Sequence, residues 1–176
     1  MRAGPFLLLT ATTGLSIALA SPSAAQKPQP QPPQQPEQQE PEPQEGPLRE
    51  IVSVSGACEQ LVVAGADRSV GCRNPATNIN YRNGRTSFAF AVDDVMVSFS
   101  GPSEARGGNQ VILALDRITI ASDKGEVLSA EQATGRCEYP DPFAGRAAIR
   151  CTARTEAGQF SAAFTSDGVP PNVQPF

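Results

Sequence analysis

Residues 78–92 read NINYRNGRTSFAFAV, and this stretch decides the fold class. The Asn-Gly pair at 83–84 favours the positive φ angles of a tight hairpin turn whose twist matches its flanking strands. After the turn, Phe88, Phe90 and Val92 alternate with small residues, as in a strand with one buried face. The stretch therefore predicts a β-hairpin with a two-residue turn.

The same pattern of short apolar runs and turn residues continues through residues 48–168. No helical periodicity is sustained over three turns. A region of about 120 residues is long enough for one hydrophobic core and too short for two domains. We therefore expect one all-β domain of about eight short strands, either an antiparallel β-sandwich or a partly open barrel.

The predicted strand at residues 110–122 changes the phase of its alternation midway. Its apolar residues occupy odd positions up to Leu115 and even positions from Ile118 onwards. One face can stay inward only if the strand gains a residue near Asp116 and Arg117, and a β-bulge does this. We therefore expect both Leu115 and Ile118 to face the core.

The four cysteines form two pairs of equal spacing, Cys58 with Cys72 and Cys137 with Cys151. Zinc sites use cysteines two to four residues apart, so this spacing does not indicate a metal site, and we expect no metal or other cofactor. A hairpin centred within each pair would place its cysteines opposite one another, within disulfide reach. We therefore predict these two disulfides, one of three pairings that four cysteines permit.

Each predicted bridge closes a short loop and should stabilise the domain by roughly 3 kcal/mol. Pro140 and Pro142 follow Cys137 and weaken strand pairing there. We therefore expect the second hairpin to depend on its bridge more than the first.

The two ends of the chain differ from this domain in composition. Residues 1–25 carry Arg2, an apolar run and small residues at the end, which indicate a cleavable signal peptide and a periplasmic or secreted protein. An uncleaved membrane anchor is disfavoured because about fifteen apolar residues are too few to span a bilayer. Residues 26–47 are almost wholly Gln, Pro and Glu, which predicts a disordered tail, and residues 169–176 are interpreted as a flexible C-terminal tail.

The absence of histidine narrows the chemistry that the chain can support. It removes the commonest general base, the Ser–His and Cys–His pairs and the commonest metal ligand. Two carboxylates could still act as in a glycosidase. The candidate acids are Asp93, Asp94, Asp116, Glu126, Glu131 and Asp141. Solvated turns or, for Asp116, an ion pair with a neighbouring Arg explain them, so no catalytic residue is assigned.

Arg146, Arg150 and Arg154 occupy even positions of one predicted strand and should share its outward face. They are our candidate site for an anionic ligand or a protein partner. The alternative is a solvated strand face, because the same hairpin sets Glu138 across from Arg150. Basic and acidic residues are nearly balanced in the domain, so we expect no binding to nucleic acid and no stable membrane insertion after signal cleavage.

Several short motifs are shared with other sequences. They are Asn78-x-x-Tyr81-x-Asn83-Gly84-Arg85-x-x-Phe88-x-Phe90, Phe99-Ser100-Gly101, Gly135-x-Cys137-x-Tyr139, Cys151, Phe160 and Asp167-Gly168. With these motifs the chain resembles a group of small exported proteins found widely in alphaproteobacteria. That group has no assigned activity, so the resemblance implies export and a single domain, and it implies no substrate.

These observations favour a non-enzymatic extracytoplasmic binding or accessory domain. One alternative is a small periplasmic hydrolase, which would need a concave pocket with two facing acids. Another is a secreted hydrolase inhibitor, which would need a protruding loop such as residues 101–109.

A first prediction concerns residues 26–47. Because this segment has no apolar side chain to anchor it, its deletion should change the free energy of unfolding by less than about 0.5 kcal/mol. Thermal and denaturant unfolding of the two forms would measure this, and a loss above about 1 kcal/mol would show that the segment docks on the domain.

Overall fold

A computed structural model describes residues 46–176, so the predicted signal peptide and most of the predicted Pro/Gln-rich tail lie outside the described residues. The described chain is nearly all antiparallel strand, with two short 3-10 turns at Ser69–Gly71 and Pro142–Ala144. The predicted all-β class is confirmed.

Twelve strands follow one another along the described chain. They are β1 (Leu48–Val54), β2 (Gly56–Val63), β3 (Ala66–Asp67), β4 (Cys72–Tyr81), β5 (Thr86–Val92), β6 (Val95–Gly101), β7 (Ser103–Gly107), β8 (Gln110–Ser122), β9 (Val127–Pro140), β10 (Ala148–Thr155), β11 (Gly158–Ser166) and β12 (Asn172–Pro175). The number exceeds the expected eight partly because Pro102 interrupts the ladder between β6 and β7. Both of these strands pair with β8.

All twelve strands belong to one sheet, which is curled into a half-barrel, and there is no second sheet in the described part of the chain. The order is β12-β1-β4-β5-β6-β8-β9-β10-β11-β2-β3, with β7 beside β8. The inner face holds the core, whose largest fully buried side chains include Phe88, Phe90, Phe99, Phe160 and Phe164. A curled sheet can bury one face against itself, which replaces the second layer of a sandwich.

The hairpin at residues 78–92 is confirmed, but its turn is longer than predicted. Tyr81 N–H donates to Arg85 O (3.0 Å), which leaves a three-residue loop of Arg82, Asn83 and Gly84. Gly84 has φ 87°. A three-residue hairpin loop ends in a left-handed residue, so the glycine serves the third loop position and not a two-residue turn.

The β-bulge predicted near Asp116 is also present, in the β8–β9 pairing. The register with β9 shifts between Leu115 and Arg117. Leu115 is 6% exposed and Ile118 is 2% exposed, so both face the core. Between these paired positions β8 has one residue, Asp116, and β9 has two, Ala133 and Thr134, so the extra residue lies on β9. The irregularity keeps the apolar face of β8 inward on both sides of Asp116.

Both predicted disulfides are present, but only one has the predicted geometry. Cys137 and Cys151 are direct ladder partners on β9 and β10. Cys58 on β2 is bonded to Cys72 at the start of β4, and β2 and β4 are not neighbours in the sheet order. The first bridge therefore crosses the opening of the half-barrel and does not staple a hairpin.

The C-terminal segment was expected to be a flexible tail, and the structure corrects this for its last residues. Asn172–Pro175 forms β12, which pairs with β1, and Phe176 N–H donates to Arg49 O (3.0 Å). Strand alternation then turns the nitrogen of Pro175 away from β1, where an outermost strand needs no donor. Pro175 is thus compatible with an edge strand.

The N-terminal boundary also moves slightly. Arg82 N–H donates to Pro47 O (2.8 Å), so Pro47 already belongs to the folded domain. A deletion that spares this hydrogen bond therefore has to end before Pro47.

A second prediction compares the variants C58A/C72A and C137A/C151A. Without the first bridge, Gly56 N–H to Asn74 Oδ1 (3.0 Å) is the one side-chain hydrogen bond described between β2 and β4. Without the second, the β9–β10 ladder still aligns its strands. We expect amide hydrogen exchange to rise in β2 and β4 of C58A/C72A, and to change little in the β9–β10 ladder of C137A/C151A.

From Pro140 and Pro142 we expected the second hairpin to depend more on its disulfide than the first. Because the β9–β10 ladder aligns its strands without the bond, we now expect the opposite. Total stability is not the readout, because Cys137 and Cys151 are fully buried and their truncation also leaves a cavity. The prediction would be contradicted if exchange in the β9–β10 ladder of C137A/C151A rose more than exchange in β2 and β4 of C58A/C72A.

Candidate functional site

The three arginines proposed from the sequence are all exposed, but they do not form one continuous stripe. Arg150 and Arg154 lie on the outer face of β10, while Arg146 precedes the strand. Arg150 is opposite Glu138, as predicted. Glu138 forms its ion pair with Arg136, however, at 2.6 Å. Anion binding by this face stays a prediction.

Asp116 has the ion-pair role that was expected of it. The Arg85 guanidinium donates to both carboxylate oxygens of Asp116, at 2.6 and 3.0 Å, and to Ser100 Oγ at 3.3 Å. Arg85 is only 6% exposed. A bidentate pair of this kind fixes the bulge to the hairpin loop, which is a structural role.

A cavity of about 310 Å³ opens at one end of the half-barrel. Its lining residues are Arg49, Glu50, Val52, Asn78, Asn80, Phe88, Glu104, Arg106, Val111, Tyr139, Asp141, Pro142 and Phe143. Val52, Phe88, Val111 and Tyr139 also belong to the core, so the floor of the cavity is the end of the core itself.

The inner-face residues of the strands around this cavity change from apolar to polar close to it. On the inner face of β1, Val54 and Val52 are followed by Glu50. On the inner face of β4, Ala76 is followed by Asn78 and Asn80. Because side chains alternate between faces, these polar groups occupy positions that are apolar elsewhere in the same strands.

The opposite wall shows the same change. Glu104 and Arg106 of β7 are register partners of Leu113 and Val111, which face the core. On β9 the buried Cys137 and Tyr139 lead to Asp141. Inner-face positions therefore become polar on four strands or strand ends at once.

Hydrogen bonds hold the β4 wall in one arrangement. Thr86 Oγ1 donates to Asn80 Oδ1 (2.9 Å), and Asn80 Nδ2 donates to Asn78 Oδ1 (2.8 Å). Asn78 Nδ2 in turn donates to Ser87 O (3.3 Å). Asn80 Nδ2 also lies 3.4 Å from Glu50 Oε1. The chain of donors fixes both amides before any ligand arrives.

On the other wall, Tyr139 joins β9 to β7. Its ring packs edge-on against Phe88, with ring centroids 4.6 Å apart. Its hydroxyl donates to Glu104 Oε1. Burial raises the pKa of Tyr139 far above its ordinary value, and the hydrogen bond and the charge of Glu104 raise it further. Tyr139 therefore remains a neutral phenol in the folded protein.

The mouth of the cavity carries the 3-10 turn between β9 and β10. Asp141 Oδ1 accepts from Phe143 N–H (2.9 Å), which starts the turn. Phe143 is 56% exposed at the rim. An aromatic ring is thus held at the entrance of a concave, partly polar space.

Sequence reasoning missed most of this site. Of the six candidate acids only Asp141 lines the cavity, while Glu50 and Glu104 were not singled out. The available signal was the inner-face alternation of β1, where Val54 and Val52 lead to a glutamate. That signal has meaning only once the faces of several strands are known.

Searches of protein-family models, curated proteins and solved structures found no match to the chain. The resemblance to small exported alphaproteobacterial proteins therefore stays a prediction. Residues 46–176 contain no helix long and apolar enough to cross a membrane. They also contain no group of three or more His, Cys, Asp or Glu side chains placed to hold a metal ion.

A third prediction concerns alkaline pH. Above about pH 10 the unfolded chain releases the Tyr139 proton while the native state keeps it, so the unfolded state binds fewer protons. The free energy of unfolding should therefore fall as pH rises through this range. In Y139F this contribution is absent, and urea unfolding at about pH 8 and about pH 10.5 should show a smaller fall than in the wild type. Equal falls in the two proteins would contradict the assignment.

Proposed function

We propose that this chain is an exported, non-enzymatic binding domain and that the cavity is its ligand site. The observation that carries the proposal is the simultaneous change from apolar to polar inner-face residues around one end of the half-barrel. A buried polar group costs free energy unless it is hydrogen-bonded, and apolar residues at these positions would enlarge the core. Polar residues that converge on one concavity are therefore better explained by a ligand than by folding.

The arrangement of the walls supports binding for a second reason. Ligand sites are concave, largely apolar and preformed, with a few convergent polar groups. Here Phe88, Val52 and Val111 supply the apolar floor, and the Asn78–Asn80 chain supplies amides that are already oriented. A ligand would therefore lose little free energy in ordering the site.

Export is part of the proposal and rests on the N-terminal signal pattern. The two disulfides are compatible with an oxidising compartment outside the cytoplasm. A partner or anion at the arginine-bearing face of β10 belongs to the same proposal, with weaker support, because Arg146 lies outside the strand and the three arginines do not form one continuous stripe.

A hydrolase is the second candidate, because three carboxylates line the cavity. The assignment of roles is difficult, however, since a general acid must be a carboxyl kept protonated by its surroundings. Glu50 is paired with Arg49 at 2.8 Å, Glu104 accepts from Tyr139, and Asp141 accepts from a backbone N–H. Each carboxylate is thus already engaged within the domain, and Glu104 and Asp141 are exposed, so the contacts single out no general acid.

The inhibitor alternative has less support in this fold. Residues 103–107 form β7 and are paired with β8, so most of the expected protruding loop is part of the sheet. What extends from the sheet here is the short turn that joins these two strands.

A fourth prediction tests the cavity as a binding site with two matched variants. Phe143 and Leu128 are both 56% exposed, but only Phe143 lines the cavity. After incubation with the low-molecular-weight fraction of a periplasmic extract and re-isolation, the wild type and L128A should carry the same small molecule. F143A should retain about tenfold less, as expected for loss of roughly 1.4 kcal/mol of aromatic contact.

Mass spectrometry of the denatured proteins would identify and quantify that molecule. Equal retention by all three proteins, or no retention by the wild type, would contradict the proposal. Turnover of chromogenic p-nitrophenyl glycosides that is lost in E50Q, E104Q or D141N would favour the hydrolase instead.

A further inference from the structure

We infer that the cavity takes a neutral, polyhydroxylated ring of the monosaccharide class. The inference rests on the proposed binding function and adds the chemical class of the ligand. It follows from three properties of the lining: the balance of its charges, the mixture of its donors and acceptors, and the position of its aromatic rings.

The charges of the lining favour a neutral ligand. The lining contains two basic residues, Arg49 and Arg106, and three acidic residues, Glu50, Glu104 and Asp141. Two guanidinium groups and three carboxylates leave a net charge of −1, so an anion gains no net attraction, and a cation meets two like charges beside the three carboxylates. Arg49 and Glu50 are also paired with each other, at 2.8 Å, so they do not present separated poles to a zwitterion.

The polar groups left for a ligand include both donors and acceptors. Within residues 46–176, Glu50 Oε2, Glu104 Oε2 and Asp141 Oδ2 accept no described hydrogen bond, since the partners of these carboxylates use the other oxygen. Arg106 offers guanidinium donors beside them. A hydroxyl group can donate to a carboxylate and accept from a guanidinium through one and the same oxygen atom, and a sugar ring carries several such groups.

The aromatic rings and the size of the cavity complete the match. Phe88 and Tyr139 form the floor, and Phe143 lies at the rim, so apolar ring surface is present at both ends of the cavity. The C–H faces of a sugar ring pack on such surfaces while its hydroxyls point to the walls. At about 310 Å³ the cavity is at the lower end of ligand-site volumes, which suits one ring better than a long chain.

The test is a chemical-shift titration of the full-length chain, purified as exported, with defined probes. The sugar probes are D-glucose, D-galactose, N-acetyl-D-glucosamine and maltose. The comparison probes are choline as a cation, L-serine as a zwitterion and inorganic phosphate as an anion. We expect at least one sugar to shift the signals of Asn78, Asn80 and Phe88, and E50Q to weaken its binding at least tenfold.

Glu126→Gln is the matched control, because Glu126 is an exposed acid outside the cavity. It should bind the same sugar with unchanged affinity. Retention of the native spectrum in both variants excludes unfolding as the cause.

The outcomes separate this inference from the proposed function. Binding of choline, L-serine or phosphate at the same signals, without sugar binding, would overturn the sugar class and leave the binding function in place. If no probe of either kind shifts the cavity signals, the inference is overturned, while the retained molecule from the periplasmic extract still tests the binding function independently.

Discussion

The bond between Cys58 and Cys72 is the covalent constraint that holds the sheet in its curled form. These residues belong to β2 and β4, which are separated in the sheet order by six other strands. In the described part of the chain no second layer covers the apolar face of this sheet. The sheet therefore has to curl until that face covers itself. The Cys58–Cys72 bond joins β2 and β4, the two strands that the curl brings together.

The curl also depends on residues that let strands approach and bend. Gly101 lies where β6 gives way to β7, and a Cβ at this position would overlap the backbone of Ala114. Gly135 pairs with Leu115 beside the bulge between β8 and β9, and a Cβ there would overlap the backbone of Thr152. Bulges and glycines of this kind increase the local bend of a strand, which closes the half-barrel around its core.

The cavity follows from the same geometry. In a curled sheet the inner faces of distant strands converge, so β1 and β4 on one side face β7 and β9 on the other. The phenylalanine-rich centre excludes water, and the polar residues begin where the core ends. The order of the strands thus decides that Glu50 and Glu104, which are far apart in sequence, line one concavity.

Local patterns in the sequence were sufficient for the local features. The Asn-Gly turn and alternation of residues 78–92 predicted a hairpin, the change of phase at Asp116 predicted a bulge, and the equal spacing of the cysteines predicted their pairing. Each of these depends on a few neighbouring residues, because strand alternation and loop closure act over short distances.

The sequence by itself determined the all-β class, the inward-facing residues of β8 and the two covalent links. The tertiary structure alone decided that Cys58 reaches a strand outside its own hairpin, that Pro175 belongs to an edge strand, and that Glu50, Asn78, Glu104 and Tyr139 surround one cavity. The physical reason is that these facts depend on which strands become neighbours across the curl. Pairing between distant strands is selected by burial of the whole apolar face, a sum over many residues that no short segment contains.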